Sequence, residues 1–364
     1  MDIKKIKIAL VADWITNPGG DDKVLWELHE IFPKAPIFTT VFNPEKMSRY
    51  KNLDIRTTYL NNIPLAKSKH QLFVPLMFNA LKNLDLSDYD IIFSSSHTVG
   101  KSITKPKGAI HICYCHTPLR YVWAPKIDDL GKRIKLGPLT KPLLSYLRKK
   151  DIESAESVDY FLANSHTIAR RIKFAYGKDA KVIYPPVDTE KFKPVGAIAK
   201  KDYYFSAGRL IPYKKIDLII KAFNQLGKKL LIAGTGPEYD NLKSIANDNI
   251  DLLGFVDDEK LIRLMQEAKA FIFAANEDFG IVPVEAMAAG TPVIAYGQGG
   301  ATETVSDGKT GVLFEKQSVD SLSRAINKFE KIKIKSSDCQ NQTIRFSKSI
   351  FNKEIINFIK NIKE

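Results

Sequence analysis

The sequence has little of several features that mark special classes of protein. It has three cysteines in 364 residues, and no second cysteine pair stands at the spacing of a zinc site. Cys113 and Cys115 are two positions apart in a strand-like run, so both side chains point to the same face. We therefore expect both cysteines to be small buried core residues. No apolar run approaches the roughly 18 residues that a membrane-spanning helix needs. The apolar stretch near the start is too short for a secretion signal, so a cytoplasmic location is expected.

Other absences narrow the class of protein further. The dinucleotide fingerprint G-x-G-x-x-G is missing, and the chain has neither an internal repeat nor a low-complexity tract. Hydrophobic residues make up 44% of the chain and charged residues 26%, as in ordinary globular proteins. The length is sufficient for two domains, each with its own core.

Acidic residues are fewer than basic ones. The chain has 55 Lys and Arg and 41 Asp and Glu, which gives a net charge of +14. Residues 1–187 hold 29 of the basic and 18 of the acidic residues, and most of the excess falls between Lys67 and Lys150. This asymmetry predicts an anionic partner for the first half, either phospholipid headgroups or nucleic acid. The aromatic and basic modules of nucleic-acid-binding proteins are missing, so charge alone supports that alternative.

The chain is organised around residues 270–305. An apolar strand, 270–275, is followed by a polar turn that contains Glu277, and then by a helix that Gly280 and Pro283 open. Free backbone amides at Gly280, Ile281 and Val282 at a helix start form a site for an anionic group. Glu277 and Glu285 bracket that site.

This stretch, NEDFGIVPVEAMAAGTPVIAYGQGGATETV, resembles the Glu-x7-Glu signature of retaining glycosyltransferases of family 4. The resemblance implies an α/β protein of GT-B architecture, with two Rossmann-like parallel-sheet domains that face each other across a cleft. It places Glu277 near the reacting carbon of the donor sugar and the ribose hydroxyls at Glu285. The backbone amides after Phe279 would then hold the diphosphate.

Further segments match the same family. GRLIPYKK carries Arg209 and Lys214 as the phosphate-binding pair, with a solvated basic loop as the alternative. CHTPLRYVW puts His116 near the donor sugar, although a histidine that is only hydrogen-bonded within a loop is an equal reading of the local sequence. In the resembled family Gly234 lines the nucleotide pocket, and Phe255 and Val256 border the base.

Two acidic motifs bear on the phosphate site. In the resembled family the Gly19-Gly20 turn lets the first domain approach the donor phosphates, and an ordinary turn is the alternative. Asp21 and Asp22 depart from the family's usual small-acidic pair and add negative charge there. Asp88-Tyr89-Asp90 precedes a strand instead of following one, so it is interpreted as a turn and not as a metal site. No metal and no cofactor are expected.

The domain boundaries follow from composition and from the resemblance. Residues 1–187 are predicted to form an acceptor-binding domain, and residues 188–345 a nucleotide-sugar-binding domain. Residues 346–364 are predicted to form a helix that crosses back to the first domain, and Pro185-Pro186 marks the hinge.

Two basic stretches, 62–84 and 131–150, mix apolar residues with lysines. Each is interpreted either as a core helix with a solvated face or as an interfacial segment on an anionic membrane.

The resemblance implies a retaining transferase that moves a hexose from a nucleotide sugar. The opening LVADWITNPGGDDKVL is similar to bacterial mannosyltransferases of surface-polysaccharide (O-antigen type) assembly, which favours GDP-mannose as donor. A lipid-linked glycan acceptor is then expected, with the protein peripheral on the inner face of the plasma membrane. A nucleotide-sugar epimerase or hydrolase of the same architecture and a nucleic-acid-binding protein are the alternatives.

Overall fold

The computed structural model describes residues 6–123, 141–196 and 198–362. The chain forms two compact units, one of residues Met1–Pro186 with Phe351–Glu364 and the other of Val187–Ile350. The described part of each unit contains one parallel β-sheet with helices around it. The prediction of two Rossmann-like α/β domains is therefore confirmed.

The sheet of the first unit has seven strands within the described ranges, in the order β3-β2-β1-β4-β5-β6-β7. The strands are β1 Ile8–Ala12, β2 Ile37–Thr39, β3 Ile55–Thr57, β4 Ile91–Ser96, β5 Ile110–Cys115, β6 Tyr160–Ala163 and β7 Ala180–Val182. The helices that belong to it are Gly20–Ile31, Ala66–Lys69, Val74–Lys82, Arg120–Trp123, Lys141–Glu156, His166–Tyr176 and most of Lys348–Asn361.

Alternation along the strands gives this sheet two apolar faces. Leu10 and Phe93 pack in one cluster, together with Phe351 of the last helix. Their strand neighbours Val11 and Ile92 pack in a second cluster on the opposite face. Because side chains alternate along a strand, continuous apolar runs such as 8–12 serve both faces at once, as parallel sheets require.

The sheet of the second unit has six strands in the order β10-β9-β8-β11-β12-β13. They are β8 Tyr204–Ala207, β9 Leu230–Ala233, β10 Ile250–Gly254, β11 Ala270–Phe273, β12 Val293–Tyr296 and β13 Gly311–Phe314. The helices are Thr189–Phe192, Ile216–Leu226, Tyr239–Ser244, Asp258–Glu267, Ile281–Ala288, Ala301–Thr304, Val319–Glu330 and Ser336–Thr343.

The strand order reverses direction once in each sheet, between β1 and β4 in the first unit and between β8 and β11 in the second. Open parallel sheets bind ligands outside the carboxyl ends of the strands at such a reversal. A ligand-binding site is therefore expected in the loops that follow β1 and β4 in the first unit and β8 and β11 in the second.

Gly19 holds the cap position of the first helix with an extended backbone, and Asp21 and Asp22 lie in its first turn. One local prediction was wrong. The stretch 62–84 was treated as one helical face, but it divides into Ala66–Lys69, a 3-10 turn His70–Phe73 and Val74–Lys82. Leu65, directly before the helix Ala66–Lys69, has a left-handed backbone conformation with φ 67°.

Cys113 and Cys115 are free and fully buried, which confirms the interpretation of both as small core residues. Within the described ranges, no helix has both the length and the apolar character needed to cross a membrane. Residues 131–140 of the second basic stretch lie outside the described residues.

Candidate active site

The predicted phosphate pair leaves β8 in the second unit. Arg209 follows the strand and is exposed, and Lys214 ends a short 3-10 turn, Pro212–Lys214. The Nζ atom of Lys214 forms an ion pair with Oε1 of Glu277, which lies in the loop after β11. Their side chains are only 16% and 20% exposed, so the pair lies in a partly enclosed place. The structure thus brings together two predicted site residues that are 63 positions apart.

Glycines allow the loops at this edge to touch. A Cβ atom on Gly234 would lie 1.9 Å from the carbonyl oxygen of Gly208, so the backbones after β8 and β9 approach as closely as only glycine permits. The Gly234 N–H donates to the carbonyl of Gly254, the last residue of β10, at 2.8 Å. A Cβ atom on Gly208 would lie 4.0 Å from Lys214 Nζ. The Lys214 amine therefore lies beside the backbone of Gly208.

The loop that carries Glu277 is fixed from a second side. The Gly300 N–H donates to the Glu277 carbonyl at 2.8 Å, and a Cβ on Gly300 would lie 2.2 Å from the Phe279 Cα. Any side chain at residue 300 would therefore displace the loop. Gly280 follows with φ 84°, a left-handed turn into the helix Ile281–Ala288.

The start of that helix is compatible with a nearby negative group. Gly280 holds the cap position without a side-chain cap, Pro283 lies in the first turn, and no acidic residue occupies that turn. The helix dipole favours a negative group at such an end. Glu285, one turn further, is buried with 5% of its surface exposed.

The predicted base contacts lie at the neighbouring strand end. Phe255 follows β10 and is 81% exposed, which is unusual for a large aromatic side chain, while Val256 beside it is half-buried. An exposed ring directly after Gly254, at the same carboxyl edge as Arg209 and Gly234, suits stacking against a planar ligand.

The carboxyl edge of the first unit carries a network that the sequence reasoning missed. Asp13 follows β1 and is 3% exposed. Its carboxylate accepts hydrogen bonds from the backbone N–H groups of His97 at 2.7 Å and Val99 at 2.6 Å, and from the Ser96 hydroxyl at 3.0 Å. The signal was available, because a lone aspartate ends one apolar strand and Ser-Ser-Ser-His ends the strand beside it. This network fixes the loop that presents His97.

His116 follows β5 and is half-buried. Its Nε2 lies 2.8 Å from the Ser95 hydroxyl, and its carbonyl accepts a hydrogen bond from the Asn164 amide at 3.0 Å. The Tyr114 ring lies 5.2 Å from the imidazole. The histidine is therefore held in place at the carboxyl edge by groups from β4 and from the loop after β6.

Both aspartates after the Gly19-Gly20 turn are charge-compensated. Nε2 of His97 lies 3.5 Å from Oδ2 of Asp21, and also 3.5 Å from Oδ2 of Asp13. Asp22 pairs with Arg49 and accepts a hydrogen bond from the Tyr50 hydroxyl at 2.8 Å. The extra negative charge that the sequence places beside the glycine turn is therefore largely neutralised within the unit.

The pKa values of the pair reflect this arrangement. Burial alone would lower the pKa of His97, but the Asp13 charge and the hydrogen bond to Asp21 outweigh it and hold that pKa above 6.5. Burial opposes ionisation of Asp21, yet the His97 hydrogen bond and the charges of His97 and His116 lower its pKa below the usual value. Arg120 repels the imidazolium and limits the rise in the pKa of His97.

A pH-dependent contribution to stability follows. Since the pKa of His97 is raised on folding, its stabilisation is complete below pH 6.5 and is lost as pH rises through the folded-state pKa. We expect Asp21→Asn to lower the melting temperature at pH 6 and to have a smaller effect at pH 9, as measured by thermal denaturation across that range.

The matched control is Asp22→Asn, whose partners Arg49 and Tyr50 have raised pKa values and keep their protons throughout that range. Its effect should not depend on pH between 6 and 9. A pH-independent effect of Asp21→Asn would contradict the assignment of His97 as the titrating partner.

Both halves of the chain are similar in sequence to known glycosyltransferases. Residues 18–191 match the family described as Glycosyltransferase Family 4, and residues 187–346 match the family described as Glycosyl transferases group 1. An uncharacterized glycosyltransferase of Methanocaldococcus jannaschii is 26% identical, in an alignment over 91% of this chain and 86% of the relative.

A GDP-mannose-dependent alpha-(1-6)-phosphatidylinositol monomannoside mannosyltransferase of Mycobacterium tuberculosis is 31% identical over 43% of this chain. That alignment spans about half, 48%, of the relative. Among solved structures, HepE of Anabaena in complex with UDP superposes with a TM-score of 0.74 at 20% identity, over 98% of this chain and 100% of HepE. The lipopolysaccharide outer core galactosyltransferase WaaB gives 0.70 at 17% identity, over 98% and 99%. These structural likenesses support the shared fold.

Proposed function

We propose that this chain is a family 4 glycosyltransferase, a retaining hexosyltransferase that moves mannose from GDP-mannose onto a lipid-linked glycan, since the family 4 and group 1 models match its two halves. The donor follows the mannosyltransferase relatives, whose names specify GDP-mannose and a phosphatidylinositol-linked acceptor. The setting we propose is O-antigen-type surface-polysaccharide assembly, with the protein peripheral on an anionic cytoplasmic membrane face.

The observation that carries the proposal is the ion pair of Lys214 with Glu277. Departure of a nucleoside diphosphate places charge on phosphate oxygens, which preorganised cations and helix-end amides stabilise. Lys214, Arg209 and the amides of Gly280 to Val282 are proposed to hold that diphosphate. Because Glu277 contacts Lys214, a carboxylate lies directly beside the cation that we propose to bind phosphate.

That carboxylate has a second role in the proposed reaction. As the bond to the diphosphate breaks, the sugar gains oxocarbenium character, which a nearby carboxylate stabilises. Glu277 is proposed for this role and His116 for a further contact to the donor sugar. The acceptor hydroxyl would attack on the face from which the phosphate departs, so the configuration is retained without an enzymic nucleophile. That the reaction needs neither metal nor cofactor stays a prediction.

The remaining donor contacts are proposed by position. Glu285 would accept hydrogen bonds from the ribose, and Phe255 and Val256 would border the base. Gly234 keeps the nucleotide loop free of side chains, as its contact with Gly208 requires. Gly19 and Gly20 would approach the phosphates from a turn whose acidic neighbours are already paired.

Thermal shift with separate nucleotides tests the donor. At ligand concentrations about 100 times Kd, binding adds roughly 2.7 kcal/mol of stability, which is readily measured. We expect GDP and GDP-mannose to raise the melting temperature more than UDP and UDP-glucose do. A larger shift with UDP would replace the proposed donor by a UDP-sugar and leave the transferase assignment intact.

Product analysis then tests the reaction. With a lipid-linked sugar as acceptor, NMR should show a new glycosidic bond with the anomeric configuration of the donor. Release of free sugar or an epimerised nucleotide sugar at the same rate without acceptor would instead identify a hydrolase or an epimerase.

A further inference from the structure

A fully buried ion pair in the first unit has no role in the proposed reaction. Nζ of Lys101 lies 2.6 Å from Oδ1 of Asp151, and their side chains are 1% and 0% exposed. Burial alone would lower the pKa of Lys101, but the charge of Asp151 outweighs it and holds that pKa above 10.5. The fold therefore keeps a charged amine and its counter-ion away from water.

Stability alone does not account for such a pair. The cost of removing two charges from water is comparable to the attraction that they gain, and well-packed apolar residues in their place are often at least as stable. A satisfied polar network does hold the segments that share it in one arrangement. This comparison favours a role for the pair in fixing the segments that it joins.

Asp151 lies on the helix Lys141–Glu156 and joins segments from three parts of the unit. Its Oδ2 accepts hydrogen bonds from the Trp123 indole N–H at 2.7 Å and from the Tyr176 hydroxyl at 2.8 Å. Lys101, Trp123 and Tyr176 come from the segments that follow β4, β5 and β6, which are adjacent in the sheet. One buried carboxylate thus fastens the segments that follow three adjacent strands.

Lys101 fastens the loop that follows β4. Its amine also donates to the Thr98 carbonyl at 3.0 Å. The Thr98 N–H donates to the Asp13 carboxylate at 3.1 Å, and the Thr98 hydroxyl oxygen lies 2.8 Å from Nδ1 of His97. Lys101 therefore holds the residue that contacts the imidazole of His97.

His97 connects this loop with the glycine turn of the first unit. Its Nε2 lies 3.5 Å from Oδ2 of Asp21, and its ring packs edge-on against Trp14 with 4.8 Å between centroids. A Cβ atom on Gly19 would lie 2.6 Å from Oδ1 of Asp21, so this carboxylate lies directly against the turn. The position of His97 therefore determines whether the negative charge at Gly19 is compensated.

We propose that Lys101 is a positioning residue of the candidate active site, which acts through Thr98 to hold His97 against Asp21 at the glycine turn. The inference rests on the proposed function, because that turn is the part of the first unit proposed to approach the donor phosphates. Without His97 in place, the charge of Asp21 would repel the diphosphate. The contact of His97 with Asp21 needs no substrate and can be measured alone.

A charge-neutral double variant tests the positioning. Lys101→Met with Asp151→Asn removes both charges together, so neither is left buried without its partner. The asparagine oxygen can still accept hydrogen bonds from Trp123 and Tyr176. The specific loss is the link from residue 101 to the Thr98 carbonyl.

Histidine NMR with isotope-labelled protein measures the position of His97, whose resonance is the one that His97→Gln removes. Burial and the charge of Arg120 lower the pKa of His97, but Asp13 and Asp21 hold it above 6.5. In the double variant that pKa should fall toward 6.5, because the loop no longer holds the imidazole against both carboxylates. His29 on the first helix is the internal control, and its titration should not change.

Tyr176→Phe is the matched control variant. It removes a hydrogen bond to the same carboxylate, but from the end of the helix His166–Tyr176 and not from the loop that holds His97. It should lower the melting temperature and leave both the pKa of His97 and the rate of sugar transfer close to those of wild type. The double variant should lower kcat/KM for the donor at least about tenfold, since small displacements of groups beside the reacting atoms are costly.

Three outcomes would overturn the proposal. The first is an unchanged pKa of His97 in a double variant whose circular dichroism matches wild type. The second is an equal fall of that pKa in Tyr176→Phe, which would reflect general loosening of the core. The third is a lowered pKa with an unchanged rate of transfer, which would separate Lys101 from the reaction.

Thr98→Val tests the same path if the double variant does not fold. It removes only the hydroxyl that contacts Nδ1 of His97 and should also lower the pKa of His97. An unchanged pKa in folded Thr98→Val would overturn the proposal as well. The NMR titration uses no substrate, so a wild-type protein that transfers no sugar would overturn the proposed function and leave the measured contact of His97 with Asp21 in place.

Discussion

Replacing Lys214 with alanine should lower the rate of sugar transfer about a thousandfold. A single preorganised donor to a developing oxyanion is worth on the order of 100- to 1,000-fold in kcat, and Lys214 contributes a full charge at a site that is only 16% exposed. The loss should appear mainly in kcat, because the charge on the departing diphosphate grows as the bond breaks. Steady-state kinetics with the identified donor would measure it.

Lys215 offers a matched control. It is the adjacent lysine, in a left-handed conformation with φ 58° that alanine and lysine tolerate about equally. Lys215→Ala removes the same charge from the same loop and should retain activity within a few-fold of wild type. Equal losses in both variants would show that the loop acts through overall charge, and Lys214 would lose its specific role.

The strands of this fold are predictable from the sequence because each is a local apolar pattern. The apolar run 270–275 was predicted as a strand, and β11, Ala270–Phe273, lies within it, because a buried parallel strand is a continuous apolar segment. Cap positions were less predictable. Asp21 is a better capping residue than Gly19 by side chain alone, but it lies in the first turn, where it pairs with His97.

The features of the site that could not be predicted from the sequence are mostly contacts between segments that lie far apart in the chain. Arg209, Lys214 and Glu277 could be named from the resemblance of their segments to family motifs, but the ion pair of Lys214 with Glu277 depends on β8 and β11 being neighbours in the sheet. The Asp13 and His97 network likewise depends on β1 lying beside β4. Strand order is a property of the whole chain, so single-segment patterns do not contain it.

Strand order also explains why glycines recur at the candidate site. Gly208, Gly234 and Gly300 each lie where a Cβ would approach a backbone or the Lys214 amine. Parallel strands end at one edge, so the loops that leave them converge. In this unit the convergence brings Lys214 and Glu277 together beside the backbone of the glycine loops.

Glu277→Gln should reduce transfer by about a thousandfold while nucleotide binding persists. The substitution keeps the shape of the side chain but removes the charge that would stabilise an oxocarbenium-like sugar, an interaction made mainly in the transition state. Steady-state kinetics should therefore show a large fall in kcat, and the GDP thermal shift should stay close to that of wild type. Glu259→Gln, an exposed carboxylate on the helix Asp258–Glu267, is the charge-matched control and should be fully active.

A double-mutant cycle would separate one functional unit from two independent groups. Because Lys214 and Glu277 are in contact, their effects should not multiply, and Lys214→Ala with Glu277→Gln should be little slower than either single variant. Independent groups would instead give a loss near a millionfold, the product of the two single effects. Such a product would mean that the ion pair is incidental to catalysis. A loss close to that of one variant would show that cation and carboxylate act together on the departing diphosphate and the sugar it leaves.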